Sequence, residues 1–159
     1  MVALEVLFIV GLANGAPILA ENLLRERWKT AVDFGRMFFD GRPLFGSSKT
    51  WRGLIAALVA AVFGAVSFGL SPETGAWLGV GAMLGDLFSS FVKRRLGVPP
   101  SGMALGLDQI PEVLAPLLLV KTELALQTRE VIALTALFFV IELLLSRVLF
   151  RLHIRKQPY

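Results

Sequence analysis

The chain has 159 residues, of which 55% are hydrophobic and 18% charged, and its mean hydropathy is +0.70. Soluble globular chains carry about a quarter charged residues, so this composition excludes an ordinary water-soluble domain and points to a lipid-embedded protein. There is no cysteine, which removes disulfide frameworks, thiolate metal sites and cysteine nucleophiles, and the single histidine, His153, is a poor basis for a zinc site or a serine-hydrolase triad. The net charge of +4 would suggest nucleic acid in a soluble protein. In a hydrophobic chain it fits membrane topology and anionic headgroups or substrates, and no nucleic acid is expected.

In chain order, Val2 to Ala20 is an apolar run interrupted by Glu5, Asn14 and Pro17. It lacks the positive start and small-residue cleavage site of a signal peptide, and is expected to be a retained first helix. Asn14 and Pro17 predict a break in it, with a polar group directed inward. Further spans are predicted at Leu54 to Leu70, Gly75 to Phe91, Ile110 to Leu126 and Val131 to Phe150. Five spans of about 20 residues use on the order of 100 residues, leaving no room for a separate soluble domain. The predicted fold is an all-α integral membrane protein, a single domain over 1–159 with about five transmembrane helices and two long cytoplasmic loops. No internal repeat is visible. Gly75, Gly79, Gly81 and Gly85 form small-xxx-small pairs in the third span, which predicts close helix packing.

Lys and Arg divide unevenly between the loops. Seven lie in 21–53, three in 92–109 and four at the C-terminal end, against only Lys121 and Arg129 on the other side. The positive-inside rule therefore predicts a multi-pass cell-membrane protein with its N-terminus outside and its C-terminus and both long loops in the cytoplasm. The basic tail around His153 is expected to anchor to anionic lipid.

The polar residues that interrupt this pattern are the candidates for chemistry. Asp86, Ser90 and Lys93 share one face of a continuing helix. Asp86 is predicted about five residues, or roughly 7.5 Å, inside the helix end. An intramembrane carboxylate usually marks function, although Lys93 could simply satisfy it. Asp108 precedes a helix and could be an N-cap. Glu112 follows one turn later on the same face. Convergent carboxylates beside Lys and Arg would suit Mg²⁺ and a polyphosphate, because Mg²⁺ takes few protein carboxylates together with phosphate oxygens. In the first loop, glycines and serines ahead of Lys49 could present backbone N–H groups and an ammonium to phosphate, though the strand-to-helix context of a P-loop is missing. Asn14 is balanced between a ligand contact and a helix–helix hydrogen bond. Glu5 and Glu142 are assigned no catalytic role.

Ser90-Phe91-Val92-Lys93-Arg94, followed by Ser101-Gly102 and by Asp108 before a helix, resembles the signature of the CTP-dependent phosphatidate cytidylyltransferases. The chain is more similar to their archaeal branch, the CDP-archaeol synthases, through Asn14-Gly15-Ala16-Pro17, Asp33-Phe34-Gly35, the stretch from Asp40 to Gly53, and Gly85 to Glu112. The Lys-Asp and His-Gly-Gly of the bacterial branch are replaced by Pro99-Pro100 and Ala104-Leu105. The resemblance implies transfer of CMP from CTP to 2,3-di-O-geranylgeranylglycerol 1-phosphate, an isoprenoid ether-lipid phosphate, giving CDP-archaeol and pyrophosphate. It implies Asp86, Asp108 and Glu112 as Mg²⁺ ligands, with Asp86, Lys93 and Asp108 catalytic. Lys49, Lys93 and Arg94 would neutralise phosphate charge, with hydrogen bonds from Ser89, Ser90, Ser101 and the Gly102 backbone and a contact from Asn14. No obligatory protein partner is evident. The alternatives are a CTP-dependent polyprenol kinase and a small membrane transporter or channel.

Overall fold

The computed structural model describes residues 2–151, in five helices: α1 (Val2–Leu24), α2 (Trp51–Ser67), α3 (Pro72–Arg95), α4 (Gln109–Val120) and α5 (Thr128–Arg151). The tail containing His153, and the anchoring role expected of it, lie outside the described residues. Two helices, α1 and α3, are long and apolar enough to cross a membrane, and α2 and α4 are shorter apolar helices.

On α2 the large apolar side chains face outward, while the small ones pack inside. Along α2, Ala57, Ala61 and Ala65 are fully buried, whereas Phe63 is 72% and Val59 62% exposed. Water would not tolerate that inversion, but lipid tails do, and small residues let helix backbones approach. The α3 glycines are used in this way, as their spacing predicts. A Cβ on Gly75 would lie 2.7 Å from the Val62 Cα, one on Gly79 3.1 Å from the Leu58 Cα, and one on Gly81 2.5 Å from the Pro116 Cα. At Gly85 a Cβ would run into the Pro111 carbonyl and the Glu112 backbone. One edge of α3 thus lies against α2 and the other against α4. α5 packs on α4 and α1.

The helices start where capping chemistry places them. Thr50 caps α2 by accepting from the Gly53 N–H at 3.4 Å, and Ser71 caps α3 by accepting from Thr74 N–H at 3.0 Å, with Pro72 in the first turn. Three expectations are corrected. α1 is not broken: it runs continuously through Pro17, which sits inside it and packs against Gly53, where an added Cβ would come within 3.3 Å of the Pro17 Cβ. α3 extends to Arg95, so Asp86 lies nine residues, roughly 13 Å, from its end and is deeper than predicted. α4 stops at Val120 with only 12 residues, because residues 121–125 form turns. At about 18 Å it is shorter than the roughly 30 Å hydrocarbon layer.

The segment before α4 compensates for that shortness by folding back along α3. Ser89 donates its hydroxyl to the Leu107 carbonyl at 2.5 Å and to the Gly85 carbonyl at 2.9 Å. Irregular backbone at this depth is tolerated where protein surrounds it or where it lines a cavity, and residues 101–109 do the latter. The α3–α4 contact is the tightest in the fold. Gly85→Ala should push Pro111 and Glu112 away and destabilise the protein by about 1–3 kcal/mol, read as a lower thermal midpoint in detergent. An unchanged midpoint would mean that the two helices separate without penalty.

Candidate active site

The first loop, residues 25–50, is a folded cap. Antiparallel bridges join Ala31 to Thr50 and Met37 to Pro43. Asp33, 6% exposed, organises it: its Oδ2 accepts the N–H groups of Phe45 and Gly46, each at 2.9 Å, and its Oδ1 accepts Gly35 N–H at 2.9 Å. Burial alone would raise the pKa of this carboxyl, but the Gly46, Phe45 and Gly35 N–H groups outweigh burial and hold it below the usual aspartate range. The Gly46 N–H is therefore committed to Asp33 and is not presented to a phosphate. This corrects the phosphate-cradle reading of the glycines ahead of Lys49.

The cap is clamped to the end of α3. Arg42 donates to the carbonyls of Arg94, at 3.2 Å, and Arg95. Arg95 returns the contact, pairing with Asp40 at 3.0 Å, donating to the Pro43 carbonyl at 2.5 Å, and lying over the Phe38 and Phe91 rings. On the other flank, buried Arg52 donates to the carbonyls of Arg25 and Arg27 just beyond the C-terminus of α1, a favourable end for a cation.

These braces bring Lys49 against α3, where its Nζ meets Asp86 Oδ1 at 2.5 Å. A second pair joins Lys93 Nζ to Asp108 Oδ1 at 2.5 Å, and Lys93 also donates to the Gly102 carbonyl at 3.1 Å. Asp86 is thus satisfied by Lys49 rather than by Lys93. Asp108 makes no N-capping hydrogen bond; its Oδ2 accepts the Ala104 N–H at 2.8 Å, so its carboxylate holds the loop and Lys93 instead of the helix. Glu112 lies beside Asp86, in the electrostatic field of Asp86, Glu142 and Lys49.

All of this surrounds one cleft of about 320 Å³, lined by α1, the cap, α3, residues 101–109, α4 and α5. Asn14, Lys49, Asp86, Ser90, Lys93, Arg94, Ser101, Gly102, Asp108 and Glu112 all line it. Several bring buried polar atoms with no partner in the protein: both amide atoms of Asn14, the Ser90 hydroxyl, and Nε and one terminal nitrogen of Arg94. Buried polar groups are otherwise almost always satisfied, so this set points to a polar ligand.

Two expected contacts are not available. Ser89 is fully buried and does not line the cleft; both carbonyls that its hydroxyl reaches belong to the protein. The Gly102 N–H donates to the Pro99 carbonyl at 2.8 Å within its own turn, so it faces no ligand. Glu142 of α5, which the sequence left without a role, lines the cleft, as do Gln109 and Arg52. An intramembrane carboxylate was the available signal for Glu142. Gln109 and Arg52 offered none, because polar residues at helix starts are commonplace.

Beside the cleft, an apolar groove of about 490 Å³ runs between α1 and α5, lined among others by Leu7, Gly11, Leu137 and Ile141. The two cavities share Asn14, Ile18 and Glu142 as walls. A charged cleft thus adjoins an apolar groove, with these three residues between them.

Known proteins are similar in sequence and in fold. The model of the CarS-like family, described as CDP-archaeol synthase, matches residues 27–73 and 68–159. A CDP-archaeol synthase of Sulfurisphaera tokodaii is 36% identical over 156 residues, covering 92% of this chain and 89% of that one. One from Pyrobaculum arsenaticum is 34% identical over 152 residues, covering 92% and 91%. The chain belongs to the CDP-archaeol synthase family.

A solved structure, of an intramembrane enzyme for archaeal membrane lipids biosynthesis, superposes with a TM-score of 0.74 at 30% identity over 91% of this chain and 92% of that one. A CDP-archaeol synthase is a lipid cytidylyltransferase, so the chain is a membrane-embedded enzyme of that class, and the transporter reading falls away. Within this synthase the Asp33 cap makes a pH dependence measurable. A carboxyl with a lowered folded pKa stabilises the fold above its unfolded value, about 4, and that stability is lost as pH falls through the folded value. Protease cleavage within residues 34–46 should therefore rise on acidification below about pH 4. In Asp33→Asn it should already be raised at neutral pH and change little further. Equal neutral-pH cleavage of variant and parent would remove Asp33 as the organiser of the cap.

Proposed function

We propose that this synthase transfers CMP from CTP to the phosphate of 2,3-di-O-geranylgeranylglycerol 1-phosphate, forming CDP-archaeol and releasing pyrophosphate, with Mg²⁺ as its cofactor. The observation that carries the reading is the meeting of Asp86, Asp108 and Glu112 with Lys49, Lys93 and Arg94 in one cleft that adjoins an apolar groove. A nucleoside triphosphate needs the first set of groups, and a lipid phosphate needs the second cavity.

The donor chemistry fits Mg²⁺. Asp86 and Glu112 are adjacent hard oxygen donors, with Asp108 across the cleft. Among the described residues, no three acidic or histidine side chains are gathered tightly enough to hold an ion by themselves. Mg²⁺ takes one or two protein carboxylates and completes its shell with phosphate oxygens and water. Held by one or two of Asp86, Glu112 and Asp108, the ion would supply charge neutralisation at the triphosphate.

The protein's own groups do the rest. Lys49 and Lys93 are held by Asp86 and Asp108 and turn to the triphosphate when it binds. The unpartnered nitrogens of Arg94 and the Ser90 hydroxyl donate to phosphate oxygens, and Ser101 adds a donor at the rim. The positive charge around the β- and γ-phosphates stabilises the departing pyrophosphate. A lipid phosphomonoester with a second pKa near 6 is largely ionised at neutral pH, so its oxygen attacks the α-phosphorus without a protein base. Asn14, at the junction of the two cavities, is placed to meet that phosphate. The five helices form a multi-pass unit in the cell membrane, with the N-terminus outside and the cap, the cleft mouth and the C-terminus on the cytoplasmic side, as the Lys and Arg distribution supports.

Purified protein with labelled CTP, Mg²⁺ and the ether-lipid phosphate should yield CDP-lipid and pyrophosphate; release of CDP would indicate a kinase and overturn the reading. Asp86→Asn and Asp108→Asn should each lower CMP transfer by at least about 100-fold while the protein remains folded, on the scale of removing one transition-state electrostatic contact. Near-normal turnover in either would remove that carboxylate from the mechanism. Lys93→Ala should weaken CTP binding measured by calorimetry, and unchanged affinity would contradict its assignment.

A further inference from the structure

The glycines of this chain fall into two groups with opposite surroundings. Those of α3 are filled spaces, each pressed against a neighbouring backbone. Gly11 and Gly15 of α1 are not: a Cβ added at either would meet nothing within 4 Å. Neither is required by backbone geometry, since both lie inside a regular helix and neither has a positive φ. Glycine is among the least favourable residues in a helix interior, so two of them with no packing partner need another reason. Both line the apolar groove between α1 and α5. Spaced i, i+4, they stand on one face, roughly 6 Å apart along the axis. Their missing side chains are part of the groove's volume.

We propose that Gly11 and Gly15 form the chain-seating wall of this groove and select a lipid tail bearing methyl branches. The inference deepens the function proposed above and rests on it for the identity of the lipid. The groove meets the charged cleft at Asn14, Ile18 and Glu142, so a lipid whose phosphate reaches the cleft lays its proximal chain over the two glycines. Each absent Cβ leaves a hollow of about methyl size. A branched chain fills such hollows and makes contacts across them, whereas a straight chain bridges them and forfeits those contacts. The opposite wall is mostly apolar, with Leu137, Phe138, Ile141 and Leu145; its polar members, Glu142 and Ser146, both have partners of their own. The occupant is therefore a hydrocarbon chain.

The test measures retention of two ether-lipid phosphates of equal chain length, one methyl-branched and one straight, by native mass spectrometry of full-length protein without CTP. CTP affinity is measured in parallel by calorimetry. The parent should prefer the branched lipid. Gly11→Leu should weaken its retention about tenfold, the scale of losing roughly two buried methylene groups. Gly11→Ala and Gly15→Ala should each narrow the preference for the branched lipid. CTP affinity should be unchanged in all three, and the thermal midpoints should be equal to or above the parent's, because alanine favours the helix and meets no neighbour. Parent-like retention in Gly11→Leu would overturn the proposal. So would a parallel loss of CTP affinity, which would mean that the glycines act through the shape of α1. Absence of CTP-dependent lipid product from the parent, assayed on the same preparation, would instead refute the proposed reaction and leave the binding result to decide the groove.

Discussion

Two aspartates and two lysines, paired across three segments of the chain, fix how the cap and the segment before α4 sit against α3. Lys49 crosses from the cap to Asp86 on α3, and Lys93 crosses from α3 to Asp108 before α4, each at 2.5 Å. A charge taken out of water without a partner destabilises a protein by several kcal/mol, whereas a well-paired one roughly breaks even. The pairs therefore contribute little net stability, yet breaking either by removing one member leaves a buried charge. That asymmetry makes them a specification of geometry. The cap and the irregular segment before α4 can each sit against α3 in one way only.

Everything else in the cleft follows from keeping those pairs in register. The α3 glycines bring α4 so close that Glu112 lies beside Asp86. Ser89 ties the segment before α4 to α3 from behind, and Arg42, Arg95 and Asp40 tie the cap to the end of the same helix. Five acidic and five basic side chains line the cavity, so it is close to neutral when empty. In the proposed reaction such a cleft of opposed pairs would accept a metal–nucleotide complex by exchange of partners, carboxylates turning to the cation and lysines to the phosphates. Each charged side chain of the cleft thus has an opposite charge within the cleft to face, which is how so polar a site stands beside an apolar groove.

Legibility differed sharply between residues. Asp86, Ser90 and Lys93 lie on one face in the sequence and along one wall of the cleft in the structure, because helical periodicity carries directly into three dimensions. Asn14 was balanced between a ligand and a neighbouring helix; its amide atoms have no hydrogen-bond partner in the protein and it lines the cleft, which speaks against the helix–helix bond. Ser89 and the Gly102 N–H were misread, since a serine beside a site and a glycine in a turn look the same whether their hydrogen bonds go to a ligand or to a backbone carbonyl. Asp33 appeared only as part of a familiar stretch. Its three backbone acceptor bonds close a loop over 13 positions, a distance that no local pattern reveals. Pro17 looked like a break and is a packing surface for Gly53, because a proline removes one helical hydrogen bond while neighbouring helices hold the rest of the turn.

By itself the sequence determined the solvent, the helical class, the side on which polar residues gather and the family. All four depend on composition, periodicity and motif, which are properties of the chain taken one residue or one turn at a time. Only the tertiary structure decided which lysine meets which aspartate, how deep Asp86 lies, that α4 is too short to span alone, and that one group of glycines is filled while the other is left open. Those are matters of contact between segments far apart in the chain, fixed by which backbones can approach closely enough to exclude everything else.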